Sequence, residues 1–180
     1  MPHIYLLPIE PVDYNAVDSI RRHIFDKYRL KTRDDHRRLE VGPAYDSVRN
    51  QYNTSTLLQK VIADPPEDAY RILAVTNVDL FLPIFTFQFG QAQLNGLGGI
   101  FSTHRLHNDF YGLPHDDGIY MDRVIKEAIH ELGHTFGLVH CYDPFCVMRS
   151  STYVEDVDQK TSEFCTSCRR KFLESLKVLR

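Results

Sequence analysis

One stretch in the C-terminal half, residues 119–136 (IYMDRVIKEAIHELGHTF), leaves this chain few options. Met121, Val124, Ile125, Ala128, Ile129, Leu132 and Phe136 recur at three- and four-residue intervals, which predicts an amphipathic helix with its apolar stripe turned to a core. A second side carries Glu127, His130, Glu131 and His134. At about 100° per residue, His130 and His134 diverge by only ~40° and project one turn apart. The helix is expected to stop at Gly137, because glycine accepts the left-handed conformation that ends a helix and turns the chain.

Two imidazoles one turn apart can share a zinc ion. Glu131 then stands beside the metal rather than on it, placed to take a proton from zinc-bound water, whose pKa zinc lowers from ~15.7 to roughly 7. This short His-Glu-x-x-His pattern also arises on ordinary helices. Its continuation is more specific, since Gly137 and His140 complete His130-Glu131-x-x-His134-x-x-Gly137-x-x-His140. On an uninterrupted helix His140 would sit ~240° around from His134 and face away. The bend at Gly137 brings it back as a third ligand. Three protein ligands plus water form the open site expected of a catalytic zinc.

Composition bounds the rest. With 180 residues, 43% hydrophobic, 25% charged and a net charge of -3, the chain reads as a soluble globular protein and not as a disordered segment, collagen or coiled coil. One domain over residues 1–180 is expected, dividing near Gly137 into an N-terminal part (about 1–137) and a smaller C-terminal part (about 138–180). No apolar run approaches the ~20 residues that span a bilayer. Residues 1–10 (MPHIYLLPIE) lack a basic leader and contain Pro2 and Pro8, so they read as a first strand and not as a signal peptide. A cytoplasmic monomer follows, with no membrane partner. The mild acidity gives no pull toward nucleic acid.

Residues 14–30 place Val17, Ile20, Ile24 and Phe25 at helical spacing, and residues 50–63 read as a second helix closed by Pro65 and Pro66. The charge-rich residues 31–40 are expected to be a solvated connection. Residues 70–78 (YRILAVTNV) predict a buried strand, and the alternation at 84–89 suits a strand or hairpin arm. The glycines of residues 96–106 lack a following Gly-Lys-Ser/Thr, so a hairpin, or a strand that another chain can approach closely, is expected there and not a phosphate loop. Residues 168–180 read as a final helix with Phe172, Leu173, Leu176 and Leu179 turned inward.

Directly after His140 come Cys141, Cys146 and Met148, and later Cys165 and Cys168. A zinc motif fused to Cys-x4-Cys-x-Met and followed by Cys-x-x-Cys resembles the archaemetzincins, a branch of the metzincin metallopeptidases. The resemblance implies an α/β (α+β) fold with a twisted mixed sheet, an antiparallel edge strand, packed helices and a small zinc-stapled C-terminal part. It implies that His130, His134 and His140 bind a catalytic zinc, that Glu131 is general base and acid, and that Met148 forms the Met-turn beneath the ligands. An extended peptide or protein substrate would lie along the lowest strand, sought here around residues 87–100.

Cys141, Cys146, Cys165 and Cys168 are all the cysteines of the chain, in two pairs that fit a tetrahedral, closed, structural zinc site. Two disulfides or free thiols are the alternatives. Two zinc ions per chain are therefore expected, one catalytic and one structural. Tyr153, just after Met148, is either a phenol near the reacting carbonyl or a surface tyrosine. His115 is either a cleft-rim residue or an ordinary loop histidine, and His104, His107 and Glu127 carry no specific role. A zinc metallopeptidase is the main reading, against a zinc-stabilised peptide-binding module without turnover.

Overall fold

The computed structural model describes residues 3–179, with side chains through Lys177. The first half of the chain forms β1 (His3–Pro8), α1 (Tyr14–Tyr28), β2 (Thr32–Asp34), β3 (Tyr45–Asp46), β4 (Gln51–Asn53), α2 (Thr54–Ile62), β5 (Ala69–Thr76) and β6 (Leu80–Phe81). The second half adds β7 (Gly90–Ala92), β8 (Gly98–Ser102), α3 (Asp117–Thr135), α4 (Val154–Gln159) and α5 (Thr166–Ser175).

The aliphatic runs become the centre of a five-stranded sheet of order β2-β1-β5-β8-β7. Parallel pairing joins β2, β1, β5 and β8, and β7 closes the edge antiparallel to β8. Strands covered on both faces need apolar residues at consecutive positions, and β1 supplies them over residues 4–7 and β5 over residues 72–75. Ile4, Leu6, Leu73, Val75 and Phe101 join α1, α3 and α5 in one core, whereas Tyr5, Leu7, Ile72, Ala74 and Ile100 face α2. A second, three-stranded sheet has the order β3-β4-β6. The expected mixed α/β architecture with an antiparallel edge strand is present.

Four local expectations need correction. The helix predicted from residue 50 starts only at Thr54, since Asn53 caps it by accepting the Thr56 N–H at 3.1 Å and residues 51–53 pair as β4. No strand forms over residues 84–89. The Phe85 N–H donates to Leu82 O in a turn and Ile84 is 81% exposed, so the alternation fails at its start and only Phe89, next to the edge strand, is buried. The charged stretch 31–40 is not wholly solvated: β2 adds a parallel edge to β1, and Asp35 is buried against the Arg37 guanidinium. The final helix starts earlier and ends sooner than expected, as α5: Phe172 and, just past its end, Leu176 face inward but Leu173 is exposed. Leu179 as a side chain and residues 1–2 of the predicted strand lie outside the described residues.

The helix predicted from 119–136 forms as α3, entered by Asp116, whose side chain accepts the Ile119 N–H at 2.9 Å. Val124, Ala128, Ile129, Leu132 and Phe136 are buried as their spacing requires, and Met121 and Ile125 pack at the margin. The hairpin expected over 96–106 lies earlier in the chain, as β7–β8 over residues 90–102, closed by Gln93 N–H to Gly98 O at 2.9 Å, and residues 104–106 form a single helical turn instead. The hairpin lies along α3 and ties to its end, the Asn95 N–H donating to His134 O at 2.9 Å.

Candidate active site

The end of α3 shows why the glycine matters. Gly137 has φ +84°, a left-handed conformation that costs residues with a side chain. The Leu138 N–H reaches back to Gly133 O at 3.1 Å and the Gly137 N–H to His134 O at 2.9 Å, satisfying carbonyls that the terminated helix would orphan. The reversed chain then carries His140 to the other two imidazoles. One nitrogen from each of His130, His134 and His140 lies within 4.8 Å of the others.

Hydrogen bonds settle which nitrogen faces inward. His130 Nδ1 is 2.8 Å from Val147 O, and His134 Nδ1 is 2.7 Å from Leu138 O. A carbonyl only accepts, so each Nδ1 carries a proton and each neutral Nε2 presents a lone pair. Those two Nε2 atoms face one another at 3.1 Å, with no proton to share. Burial holds all three rings below the usual histidine range, His130 most strongly, which keeps the lone pairs available. Converging lone pairs fit a divalent cation. At zinc–nitrogen bonds of ~2.0–2.1 Å, tetrahedral ligands stand about 3.3 Å apart.

Glu131 is buried beside His130, packed on the edge strand, where a β-carbon on Gly90 would stand 2.7 Å from its Oε1. Burial, and next the neighbouring Glu127 carboxylate, push the Glu131 carboxyl well above the usual range, while the Lys160 ammonium opposes this. Met148 is fully buried under α3. A β-carbon on Gly133 would meet its Sδ at 2.5 Å, so the helix can rest on the methionine only where the side chain is missing.

The four cysteine sulfurs also converge, one ligand atom from each lying within 4.8 Å of the rest. All four are free thiols, so no disulfide links them. Cys141 Sγ and Cys165 Sγ are 3.8 Å apart, and the Cys165 N–H donates to Cys146 Sγ at 3.3 Å. Zinc–sulfur bonds of ~2.3 Å in a tetrahedron place sulfurs about 3.8 Å apart. The donor set fits a closed thiolate site.

A cavity of about 500 Å³ opens over the three histidines, walled by Phe87, Phe89 and Leu94 on one stretch and by Ser150, Ser151 and Thr152 on another. The strand sought at residues 87–100 is shorter than expected: Gly90–Ala92, which lines this cavity. Tyr153 is 62% exposed and outside the lining, at the N-terminus of α4. His115 pairs with Asp109 and Asp117 on the surface, away from the cavity. His104 packs on Phe110 and His107 stacks on Tyr120.

Sequence reasoning missed one buried pair. Glu127 lines the cavity one turn before Glu131, and its Oε1 is 3.0 Å from Nζ of the fully buried Lys160. The same ammonium donates to Arg149 O at 3.2 Å, next to Met148. The four-residue step from Glu127 to Glu131 could have flagged the acid, but nothing local marks the lysine.

With this geometry in place, comparison with known proteins is decisive. The model of peptidase family M54 matches residues 38–174. The chain belongs to that family, the archaemetzincins. It is 36% identical over 168 residues to the archaemetzincin of Methanopyrus kandleri, covering 93% of this chain and 91% of that one. The archaemetzincin of Methanocaldococcus jannaschii is 39% identical over 128 residues, 71% of this chain and 69% of the other. Among solved structures, the M. kandleri archaemetzincin superposes with a TM-score of 0.85 at 34% identity, covering 98% of this chain and 96% of that chain. Archaemetzincin from Archaeoglobus fulgidus, complexed with malonate, gives 0.80 at 33% identity, covering 94% and 99%. This archaemetzincin is accordingly a zinc metallopeptidase, a hydrolase with histidine and cysteine zinc-binding groups. Among the described residues no helix is long and apolar enough to cross a membrane.

Proposed function

We propose that this protein hydrolyses peptide bonds with His130, His134 and His140 holding a catalytic zinc and Glu131 serving as general base and then general acid. The observation that carries the reading is the set of unprotonated Nε2 atoms converging beside a buried carboxylate in one cavity. When bound, zinc supplies Lewis acidity toward the scissile carbonyl and toward water. Val147 O and Leu138 O keep two of the rings in the ligating tautomer. Met148 supports the imidazoles from below as the Met-turn. Glu131 takes a proton from the attacking water and passes it to the departing amine nitrogen, so carbon–nitrogen cleavage ends with two neutral termini and a regenerated carboxylate. An extended peptide running beside β7 would find unpaired backbone groups at the sheet edge.

Cys141, Cys146, Cys165 and Cys168 would hold a second, structural zinc with no position for substrate, pinning the part of the chain after Gly137. This supports the division of one domain into residues 1–137 and 138–180. Four reduced thiols suit a cytoplasmic setting. A monomer acting on peptide or protein, with no nucleic acid or membrane partner, completes the reading. The deciding experiment is Glu131→Gln: zinc content stays at the wild-type value while turnover of a peptide library stops. Retained turnover removes Glu131 from the role, and a wild-type chain that binds peptides without cutting them would instead be a binding module.

A further inference from the structure

Two polar groups in the wall of the cavity have no use inside the fold. Gln88 Nε2 and Ser151 Oγ are both covered and find no hydrogen-bond partner among the described residues, and both residues line the cavity over the histidines. Covered polar atoms normally pair, and leaving them unpaired costs stability with nothing gained within the protein. Glu131 Oε2 and Glu127 Oε1 are in the same condition around the same cavity; the role in proton transfer accounts for the first and the ion pair with Lys160 for the second. Nothing yet accounts for the other two.

Their backbones are tethered. The Gln88 N–H donates to Leu80 O at 3.0 Å, immediately before the edge strand. Ser151 lies between the Arg149 N–H bonded to Cys146 O at 2.9 Å and the Thr152 N–H bonded to Asp156 Oδ2 at 2.8 Å. The neighbouring wall is apolar, with Phe87, Phe89 and Leu94. A mostly apolar cavity with a few fixed neutral polar groups recognises a ligand whose own polar groups are neutral and regularly placed.

We propose that the Gln88 amide and the Ser151 hydroxyl are substrate-binding groups that hydrogen-bond the backbone of the bound peptide from two stretches of chain. An extended peptide offers carbonyls and N–H groups to both, and an amide and a hydroxyl can each donate or accept. The assignment rests on the peptidase reading for its choice of ligand. The atoms are as covered as Glu131 Oε2 in the peptide-free protein, so an entering peptide has to displace the neighbouring side chains that cover them.

The test uses the full, zinc-loaded chain with Gln88→Met and Ser151→Ala. Because neither atom is bonded internally, melting temperature and zinc content are expected to match wild type or exceed it, which a structural role would not allow. Against the best-cleaved member of an acetylated hexapeptide library, kcat/KM is expected to fall at least tenfold in each variant. In a Glu131→Gln background, fluorescence anisotropy with a fluorescein-labelled hexapeptide, the tightest binder from the same library, should show at least tenfold weaker binding. Wild-type affinity and kcat/KM in both variants overturn the proposal, as does a melting temperature lowered by several degrees, and a loss at one position alone overturns the other assignment. If wild type cuts nothing yet both variants weaken binding, the peptidase reading fails and this one stands.

Discussion

The Glu127–Lys160 pair can be broken in a way that gives a quantitative expectation. Lys160 is wholly buried, Glu127 nearly so, and their charged atoms stand 3.0 Å apart. Lys160→Met keeps the aliphatic stem and deletes the charge, leaving the buried Glu127 carboxylate of α3 without its counter-ion. Removing one partner of a buried pair costs roughly 3–5 kcal/mol, a large part of the ~5–15 kcal/mol that holds a domain together. At about 2–4 °C per kcal/mol for a chain of this size, the melting temperature should drop by roughly 6–20 °C. Glu127→Gln together with Lys160→Met removes both charges and should recover most of that loss. The remaining deficit is about 1 kcal/mol, because Arg149 O also loses its donor. Calorimetric melts at fixed zinc concentration are the assay, since bound metal raises apparent stability by mass action. A single variant that loses under ~1 kcal/mol, or a double variant as unstable as the single, would refute the claim that this is a desolvated, mutually dependent pair.

Two further expectations concern the parts that hold the site. Cys165→Ser with Cys168→Ser should lower the metal count by one per chain and weaken zinc retention at the histidines by about 10–100-fold, because Val147, the partner of His130, follows Cys146 directly. Metal analysis and chelator competition read both, and histidine-site affinity unchanged after loss of the cysteine-bound metal would count against the coupling. At α4, Asp156 Oδ2 accepts the Thr152 and Tyr153 N–H groups at 2.8 and 3.0 Å, and these bonds hold its carboxyl below the usual carboxylate range. A carboxylate lowered in the folded state stabilises above its unfolded pKa of ~3.9 and loses that contribution as pH falls through the folded value. Asp156→Ala should therefore cost about 0.5–1 kcal/mol at neutral pH, solvent screening keeping it small, with the gap to wild type closing below about pH 4 in urea titrations. A gap that stays constant as pH falls from neutral through the whole acid range would show that the carboxylate is not its source.

The elements legible in the sequence were those in which one physical signal dominates. The stripe from Val124 to Leu132, the glycine at 137 and the doubled aliphatic runs of β1 and β5 each had a period or a backbone requirement that no tertiary contact reversed. The spacings of the histidines and cysteines encoded both convergent clusters, because ligands brought in by a bend and by two short pairs need little from the rest of the fold. Errors arose where two signals competed. Asn53 is a fair helix residue by composition, but its side chain caps and its backbone pairs with β6, so the helix lost its first turn. The alternation of residues 84–89 is broken by the turn at Leu82–Phe85, so only single bonds from Gln88 to Leu80 and from Ser102 to Phe89 form where a ladder was expected, and its aromatics wall the cavity and its approach. Lys160 was invisible, since only contacts 33 residues away in the chain reveal that a lysine in a polar stretch is the most enclosed charge near the site.

The two clusters are not independent features placed side by side. Cys146, Val147 and Met148 are consecutive, and each has a separate duty: a thiol of the cysteine cluster, the carbonyl that fixes the His130 tautomer, and the side chain on which Gly133 rests. The Val147 N–H is held by Glu163 O at 2.9 Å, and the Cys141 N–H, one residue after His140, by Met148 O at 3.0 Å. A shift of this tripeptide therefore moves a ligand's hydrogen-bond partner, the support under the helix and the approach of the third histidine together. Side-chain bonds from a helix alone would leave His130 free to rotate and to exchange tautomers. Anchoring the carbonyl next to the four-cysteine cluster restrains that freedom, and the small C-terminal section accordingly carries five of the seven groups able to bind metal, the four cysteines and His140.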